Sequence, residues 1–352
     1  MSALAGVSPE AVDVLRLQGW MQARGLDHGP IEQARILSGG TQNLLVHLRH
    51  EDGFCCVLRR PQLPARAEVG AALLREARVL GALAATAVPH ARLLAACSDD
   101  GVLGAPFYLM QAIDGFNPSG TPLPGRHAKD PAWRRRMGLA LVDALLALGE
   151  VDPAAVGLGD LGRPQGFLQR QVGRWQRQLD GCRGLDGWEG PEGLTGVAEV
   201  GRWLQQHCPA AGATGLMHGD FHLSNVMFRR DSPELAAVVD WELTTIGDPL
   251  LDLGWLLATW PDAAGQGAGT IHVQPWSGFP TPAELVEHYG RHSPRPLDHL
   301  DWYVVLARYK LGILLECSHA RSCAGLGDPC VGKRHHASAQ RLLRQALDLV
   351  ES

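Results

Sequence analysis

The chain of 352 residues is 45% hydrophobic and 20% charged, with a formal net charge of -5. That length fits about two domains and a sizeable core, and the apolar fraction excludes wholesale disorder. The mild acidity argues against a nucleic-acid coat or an anionic-membrane binder. No stretch approaches the roughly 20 uninterrupted apolar residues of a membrane helix. The first ten residues lack the basic-then-apolar pattern of a secretory signal. The eight cysteines contain no CxxC pair; they read as reduced thiols, and the expected compartment is the cytoplasm.

In chain order, residues 9–25 read as a short helix. Residues 31–37, a turn at Ser38-Gly39-Gly40-Thr41, residues 42–49, a turn at Glu51-Asp52-Gly53 and residues 54–59 read as an antiparallel meander, because Asp-Gly is a strong hairpin signal. Leu73, Leu74, Ala77, Leu80 and Leu83 have helical spacing, which predicts a helix over 67–85. Strands are expected at 92–97 and 107–111. Asp114-Gly115-Phe116-Asn117-Pro118 reads as a connector. Helices are expected over 132–148, 167–179, 197–207, 282–292, 297–318 and 334–350. Short apolar segments at 216–228 and 235–241 interrupt them, and the Gly-rich stretches 184–193 and 263–278 read as loops. The fold class is therefore α+β: a small, mainly antiparallel-β domain over 1–113 and a larger, mainly helical domain over 114–352.

The most informative segment is His218-Gly219-Asp220-Phe221-His222-Leu223-Ser224-Asn225. Further on, an apolar run ends at Asp240, in Ala237-Val238-Val239-Asp240-Trp241-Glu242. An acid, an amide five residues on, and a second acid closing a strand can converge on one point. Phosphoryl transfer needs that combination: one aspartate for the proton of an attacking hydroxyl, and hard oxygen ligands for Mg²⁺.

On these residues the chain resembles the aminoglycoside-phosphotransferase-like kinases, whose pattern is H-G-D-x-x-x-x-N followed by an apolar strand ending in D. The resemblance implies a bilobal, protein-kinase-like fold and ATP- and Mg²⁺-dependent transfer to the hydroxyl of a small molecule. It implies Asp220 as catalytic base, Asn225 and Asp240 as catalytic metal ligands, and His218 as a brace for the loop. Gly39, Gly40, Thr41 and Asn43 would fold over the ATP phosphates. Glu76 would sit on the helix that supplies a carboxylate to the strand-three base. The segment 107–113, through Gln111 and Ile113, would hold the adenine by its backbone, which leaves ATP and GTP both open. Residues 246–254 resemble the family segment after the metal aspartate. Val57-Leu58-Arg59-Arg60-Pro61 and residues 241–249 resemble the phosphotransferase domain fused to some acyl-CoA dehydrogenases and its free-standing bacterial relatives. That likeness implies a hydroxyacyl-type metabolite rather than an antibiotic as acceptor.

One departure stands out. The family's strand-three lysine has no counterpart, because the chain holds only Lys129, Lys310 and Lys333. Arg59 takes its place, two residues after Val57 and on the same strand face. Arginine keeps the charge but is planar and bulkier, so the exchange is not conservative. Two other readings stay open here: a nucleotide-binding regulatory module with weak catalysis, and an antibiotic phosphotransferase. His218, Asp220 and His222 also form an H-x-D-x-H cluster of the kind zinc hydrolases use, although alternate residues share a face only on a strand. Asp248 is expected to cap the helix after Pro249, and Asp252 to sit in that helix's first turn. In related kinases the C-terminal helices line the acceptor pocket, so Arg308 or Lys310 could meet an anionic substrate group, but they read first as a solvated helix face.

Overall fold

The computed structural model describes residues 12–37, 43–120, 122–210, 212–268 and 271–351. They form two compact units. One comprises the chain through Asp114 together with Ala236–Thr244; the other comprises Gly115–Leu235 and the chain from Thr245 onward.

The first unit opens with α1 (Val14–Gln22), capped by the Asp13 carboxylate, which accepts from Arg16 N–H. Five strands follow: β1 (Ile31–Ile36), β2 (Asn43–His50), β3 (Cys55–Pro61), β4 (Leu93–Cys97) and β5 (Phe107–Gln111). They make one antiparallel sheet in the order β1-β2-β3-β5-β4. The Asp52-Gly53 turn closes the β2–β3 hairpin, with Phe54 N–H donating to Asp52 Oδ1 at 2.8 Å. Alternation along these strands sends Val46, Leu48, Leu58 and Leu109 into a core shared with Leu17 and Met21 of α1. Helix α2 (Ala67–Leu83) buries Leu73, Glu76, Ala77, Leu80 and Leu83. The predicted helical stripe is therefore the buried one, and a glutamate lies within it.

Residues 236–244 come late in the chain yet pack with this sheet. Val238 N–H donates to Pro89 O at 2.8 Å, and Trp241 N–H donates to Glu76 Oε1 at 3.2 Å.

The second unit is mainly helical. It contains β6 (Gly115–Phe116), α3 (Gly125–Lys129), α4 (Pro131–Gly149), α5 (Phe167–Asp180), α6 (Val197–Gln206), β7 (Gly215–Met217), β8 (Val226–Arg229), β9 (Thr245–Gly247), α7 (Leu250–Thr259), α8 (Pro282–His292), α9 (Leu300–Cys323) and α10 (Pro329–Glu351). β6 pairs with β8 and β7 with β9, both antiparallel. Both C-terminal helices run further than their apolar spacing predicts. The polar segment Ser318–Cys323 contains no Gly or Pro breaker, and it stays helical until Gly325, whose φ of 74° ends the turn. No helix among the described residues is long and apolar enough to cross a membrane.

Candidate active site

The His218–Asn225 segment leaves β7 as a loop clamped from behind. Asp252, in the first turn of α7, is buried and points backwards. Its Oδ2 accepts from His218 N–H at 2.6 Å and its Oδ1 from Gly219 N–H at 2.8 Å. Burial raises its pKa. The His218 ring is fully buried, and its Nδ1 accepts from Asp220 N–H at 3.2 Å. Asn117 Nδ2 donates to Ser224 O and Val226 O. The loop backbone is thus held by side chains from three directions.

Within that frame Asp220 is half-buried. Its Oδ2 accepts from Asn225 Nδ2 at 3.0 Å, and the same Nδ2 donates to Asp220 O at 2.9 Å. Its Oδ1 faces His222 Nε2 at 3.3 Å. His222 Nδ1 accepts from Ser224 N–H at 3.1 Å, so the proton of the neutral ring sits on Nε2 and points at the carboxylate. Burial works against the Asp220 charge, but His222 and Lys310 outweigh it and hold the pKa down at about 2. This geometry leaves the H-x-D-x-H segment poorly suited to zinc, since both His222 nitrogens and the His218 Nδ1 are already engaged. Asn225 spends its amide N–H groups on Asp220, leaving Oδ1 as a hard oxygen donor of the kind Mg²⁺ takes.

In the first unit, Arg59 lies on β3 with its side chain only 10% exposed. Nη1 reaches Glu76 Oε1 at 3.2 Å, and Nη2 reaches Asp240 Oδ1 at 3.1 Å. Its Nε is buried without a hydrogen-bond acceptor among the described residues. Burial opposes the guanidinium charge, yet Glu76 and Asp240 hold Arg59 well above its usual range. Burial pushes Glu76 up to about 7, with Arg59 pulling the other way. A surface ion pair is the ordinary expectation for a helix glutamate; here the carboxylate is 2% exposed. Asp240 has φ 69° and is the one non-glycine residue of positive φ among the described residues. Such strain is held only where surrounding contacts over-determine the backbone, and here Trp241 N–H on Glu76 and Arg59 on the carboxylate supply them. Asp240 Oδ2 is left as a second hard oxygen donor.

The remaining expected residues are placed less decisively. Gly39, Gly40 and Thr41 lie outside the described residues. Asn43 opens β2, and its Oδ1 is buried without a partner among the described residues. Gln111 ends β5 with its N–H committed to Arg92 O at 2.9 Å, so a backbone contact to a nucleotide from that residue falls to its carbonyl. Ile113 follows the strand and is half-buried. Asp248 Oδ1 accepts from Leu250 N–H at 3.1 Å, the expected cap, while Oδ2 accepts from Tyr303 O–H at 2.7 Å.

Sequence reasoning missed two members of the loop's surroundings. Asp252 does more than suit a helix dipole, because it carries the two backbone N–H groups preceding Asp220. Lys310 is not on a solvated face. Its Nζ donates to Gly219 O at 2.9 Å and stands 3.9 Å from the centre of the Trp255 ring. Arg308 instead donates to Gln345 O of α10.

Residues 33–288 match the family model described as the phosphotransferase enzyme family. The chain belongs to that family. The phosphotransferase is 31% identical over 310 residues to acyl-CoA dehydrogenase family member 11 of Gallus gallus, a match covering 83% of this chain and 37% of that protein. It spans about a third of the length of the curated relatives it matches. A Ralstonia eutropha JMP134 protein provisionally described as an aminoglycoside phosphotransferase superposes with a TM-score of 0.80 at 28% identity, over 97% of this chain and 98% of that one. Aminoglycoside phosphotransferase APH(4)-Ia, in a ternary complex with AMP-PNP and hygromycin B, shares the fold at a TM-score of 0.60 and 15% identity, covering 95% and 98%. The chain thus has the kinase-like α+β fold of the phosphotransferase enzyme family.

Proposed function

We propose that the phosphotransferase is an ATP- and Mg²⁺-dependent kinase of a small-molecule hydroxyl, and that a hydroxyacyl-type metabolite is the acceptor. In this reading residues 1–113 bind the nucleotide, and residues 114–352 carry the catalytic loop and the acceptor pocket. The observation that supports it best is the setting of Asp220: an ionised carboxylate, fixed by Asn225 and His222, on a loop whose backbone is clamped by Asp252.

So weak a base suits positioning more than early deprotonation. Asp220 would accept a hydrogen bond from the acceptor hydroxyl, align its oxygen, and take the proton late, once the bond to the leaving phosphate has loosened. Asn225 and Asp240 are the residues that would hold Mg²⁺, which when bound neutralises charge on the phosphates. Arg59, fixed by Glu76, would meet the α- and β-phosphates in place of the family's lysine. Gly39, Gly40, Thr41 and Asn43 would cover the phosphates by backbone and side-chain contacts. Gln111 and Ile113 would bracket the adenine. Most of the rate enhancement would come from alignment and charge complementarity. The acceptor class rests on similarity to the acyl-CoA dehydrogenase family members, and a cytoplasmic setting on the cysteine pattern.

The test is Mg²⁺-dependent ADP release across hydroxyacyl-CoA thioesters, free hydroxy acids, sugars and aminoglycosides, using wild type and Asp220→Asn. A hydroxyacyl compound should stimulate wild type. Asp220→Asn should lose about 10²–10⁴-fold in turnover while its nucleotide affinity is kept. Turnover that survives the substitution overturns the assignment of Asp220. Stimulation only by an aminoglycoside overturns the acceptor. Nucleotide binding without any transfer favours the regulatory reading that the Arg59 exchange suggests.

A further inference from the structure

The end of α9 and the start of α10 carry a side-chain cluster that plays no part in the chemistry above. Glu316 and His319 are three residues apart on α9 and share a helix face. His336 comes from α10, across the short turn at 324–328. One ligand atom from each of these three residues lies within 4.8 Å of the other two. We propose that Glu316, His319 and His336 form a Zn²⁺ site that ties α9 to α10.

The donor set is the first argument. Two imidazoles and one carboxylate are ligands zinc prefers and Mg²⁺ does not, and His₂Glu with a fourth position left over is a recurring zinc arrangement. The spacing is the second. Zinc–nitrogen and zinc–oxygen bonds of about 2.0–2.1 Å require tetrahedral edges of roughly 3.3 Å. The present contacts bracket that value: His336 Nδ1 to Glu316 Oε2 is 2.7 Å, and the widest pair is no more than 4.8 Å.

The support around the ligands is the third argument. Glu316 is only 1% exposed. Trp188 Nε1, from the Gly-rich 184–193 loop, donates to its Oε1 at 2.8 Å, fixing the carboxylate plane and leaving Oε2 toward the imidazoles. Metal ligands are oriented by hydrogen bonds of this kind. The backbone also holds the two helices close: a Cβ at Gly332 would meet Ser322 Oγ at 1.7 Å. The His319 and His336 rings are 4.7 Å apart between centroids. A plain hydrogen-bonded chain of Trp188, Glu316 and His336 would not need His319.

The test uses the untagged full chain, stripped with a chelator and titrated with Zn²⁺ against a chromophoric competitor, and separately with Co²⁺ followed by visible absorption. Wild type should take one tight equivalent, gain thermal stability with it, and give the intense bands of tetrahedral Co²⁺. His319→Ala and His336→Ala should each weaken that equivalent by at least about 100-fold, while circular dichroism of both, and the urea midpoint of His319→Ala in chelator, stay at wild-type values. His292→Ala should keep it. That control removes half of the other close histidine pair, His288 and His292, at 4.5 Å between centroids. The proposal is overturned if wild type takes no tight equivalent, if its Co²⁺ spectrum is weak and octahedral, if His319→Ala binds as wild type does, or if His292→Ala abolishes binding. Because every readout is binding or stability, failure here is separable from failure of the kinase assignment.

Discussion

Arg59 Nη2 stands 3.1 Å from Asp240 Oδ1, and the same guanidinium reaches Glu76 Oε1 at 3.2 Å through Nη1. One planar fork therefore ties a helix carboxylate to the aspartate expected to hold metal. A lysine ammonium is a point charge and cannot span both partners with fixed geometry. Arg59→Lys is accordingly expected to fold, to shift ATP KM upward by about tenfold, and to lower kcat less. Arg59→Met is a different experiment, because it strands the buried Glu76. Breaking one side of a buried pair costs about 3–5 kcal/mol, whereas replacing both partners is far milder. The double variant Arg59→Met/Glu76→Gln should recover most of the lost stability in urea unfolding. A double variant no more stable than Arg59→Met would show that the pair is not coupled.

The pH behaviour of Asp220 follows from its surroundings. With the pKa held at about 2 by His222 and Lys310 against the effect of burial, the carboxylate is ionised from mildly acidic pH upward. Its folded pKa lies below the usual carboxylate value, so its contribution to stability is full above the unfolded value of about 3.9. That contribution fades as pH falls through 2. An acid limb in kcat/KM near neutrality would therefore belong to another group. His222→Ala removes the nearest imidazole and should raise the Asp220 pKa. The predicted result is an additional loss of kcat/KM at the acid end of a pH 4–9 profile under saturating Mg²⁺, where Asp220 of the wild type contributes none, with alkaline activity little changed. An unchanged limb would separate His222 from the charge state of Asp220.

Lys310 is the opposite case, a cation lowered to about 8 by burial, with Asp220 and Asp252 opposing the shift. Its folded pKa lies below its unfolded one, so between about 8 and 10.4 the unfolded chain binds more protons, and stability rises with pH. Below 8 the residue is charged in both states and carries its full burial cost. Lys310→Met keeps length and apolar contact with Trp255 while removing that titration. Unfolding free energies measured from pH 7 to 10.5 should show the variant ahead of wild type at pH 7 and wild type closing the gap as pH rises. Turnover should fall, because the Asp220 environment loses a positive charge. Parallel stability curves would rule out Lys310 as the titrating group.

How far these features were legible in the sequence depends on the range of the interactions that build them. The β2–β3 hairpin was readable because Asp52-Gly53 acts locally, and α2 because its apolar stripe has one period. The motif Asp220–Asn225 was readable because an i, i+5 relation within one loop survives as spacing; Asn225 does bond Asp220 there. Lys310 was read wrongly, and Asp252 was rightly placed in its helix but without its role, for the complementary reason. Their partners, Gly219 O and the His218 and Gly219 N–H groups, lie 91, 34 and 33 residues away, and no local pattern marks a polar residue as turned inward. Glu76 was readable only through family resemblance, since nothing about a helix glutamate among leucines announces 2% exposure. The Glu316–His336 cluster escaped for a related cause: it joins two helices, and His319 sits on an extension that polar composition does not predict.

The Asp252 clamp gives the last prediction. Its carboxylate satisfies two backbone N–H groups in a buried place, at 2.6 and 2.8 Å, and it does not touch the expected reacting atoms. Asp252→Ala orphans both donors, and each buried unsatisfied group costs about 1–3 kcal/mol. Asp252→Asn retains one oxygen acceptor but presents an amide N–H group to the other donor, so it should lose about half as much. If the clamp serves to place Asp220, Asp252→Asn should lower kcat by more than its stability loss explains, while ATP KM stays near the wild-type value. The split is decisive when measured at a temperature where the variant remains folded by circular dichroism. A variant that loses stability with kcat and KM both intact would leave Asp252 as a brace for α7 alone, with no part in aiming the catalytic carboxylate.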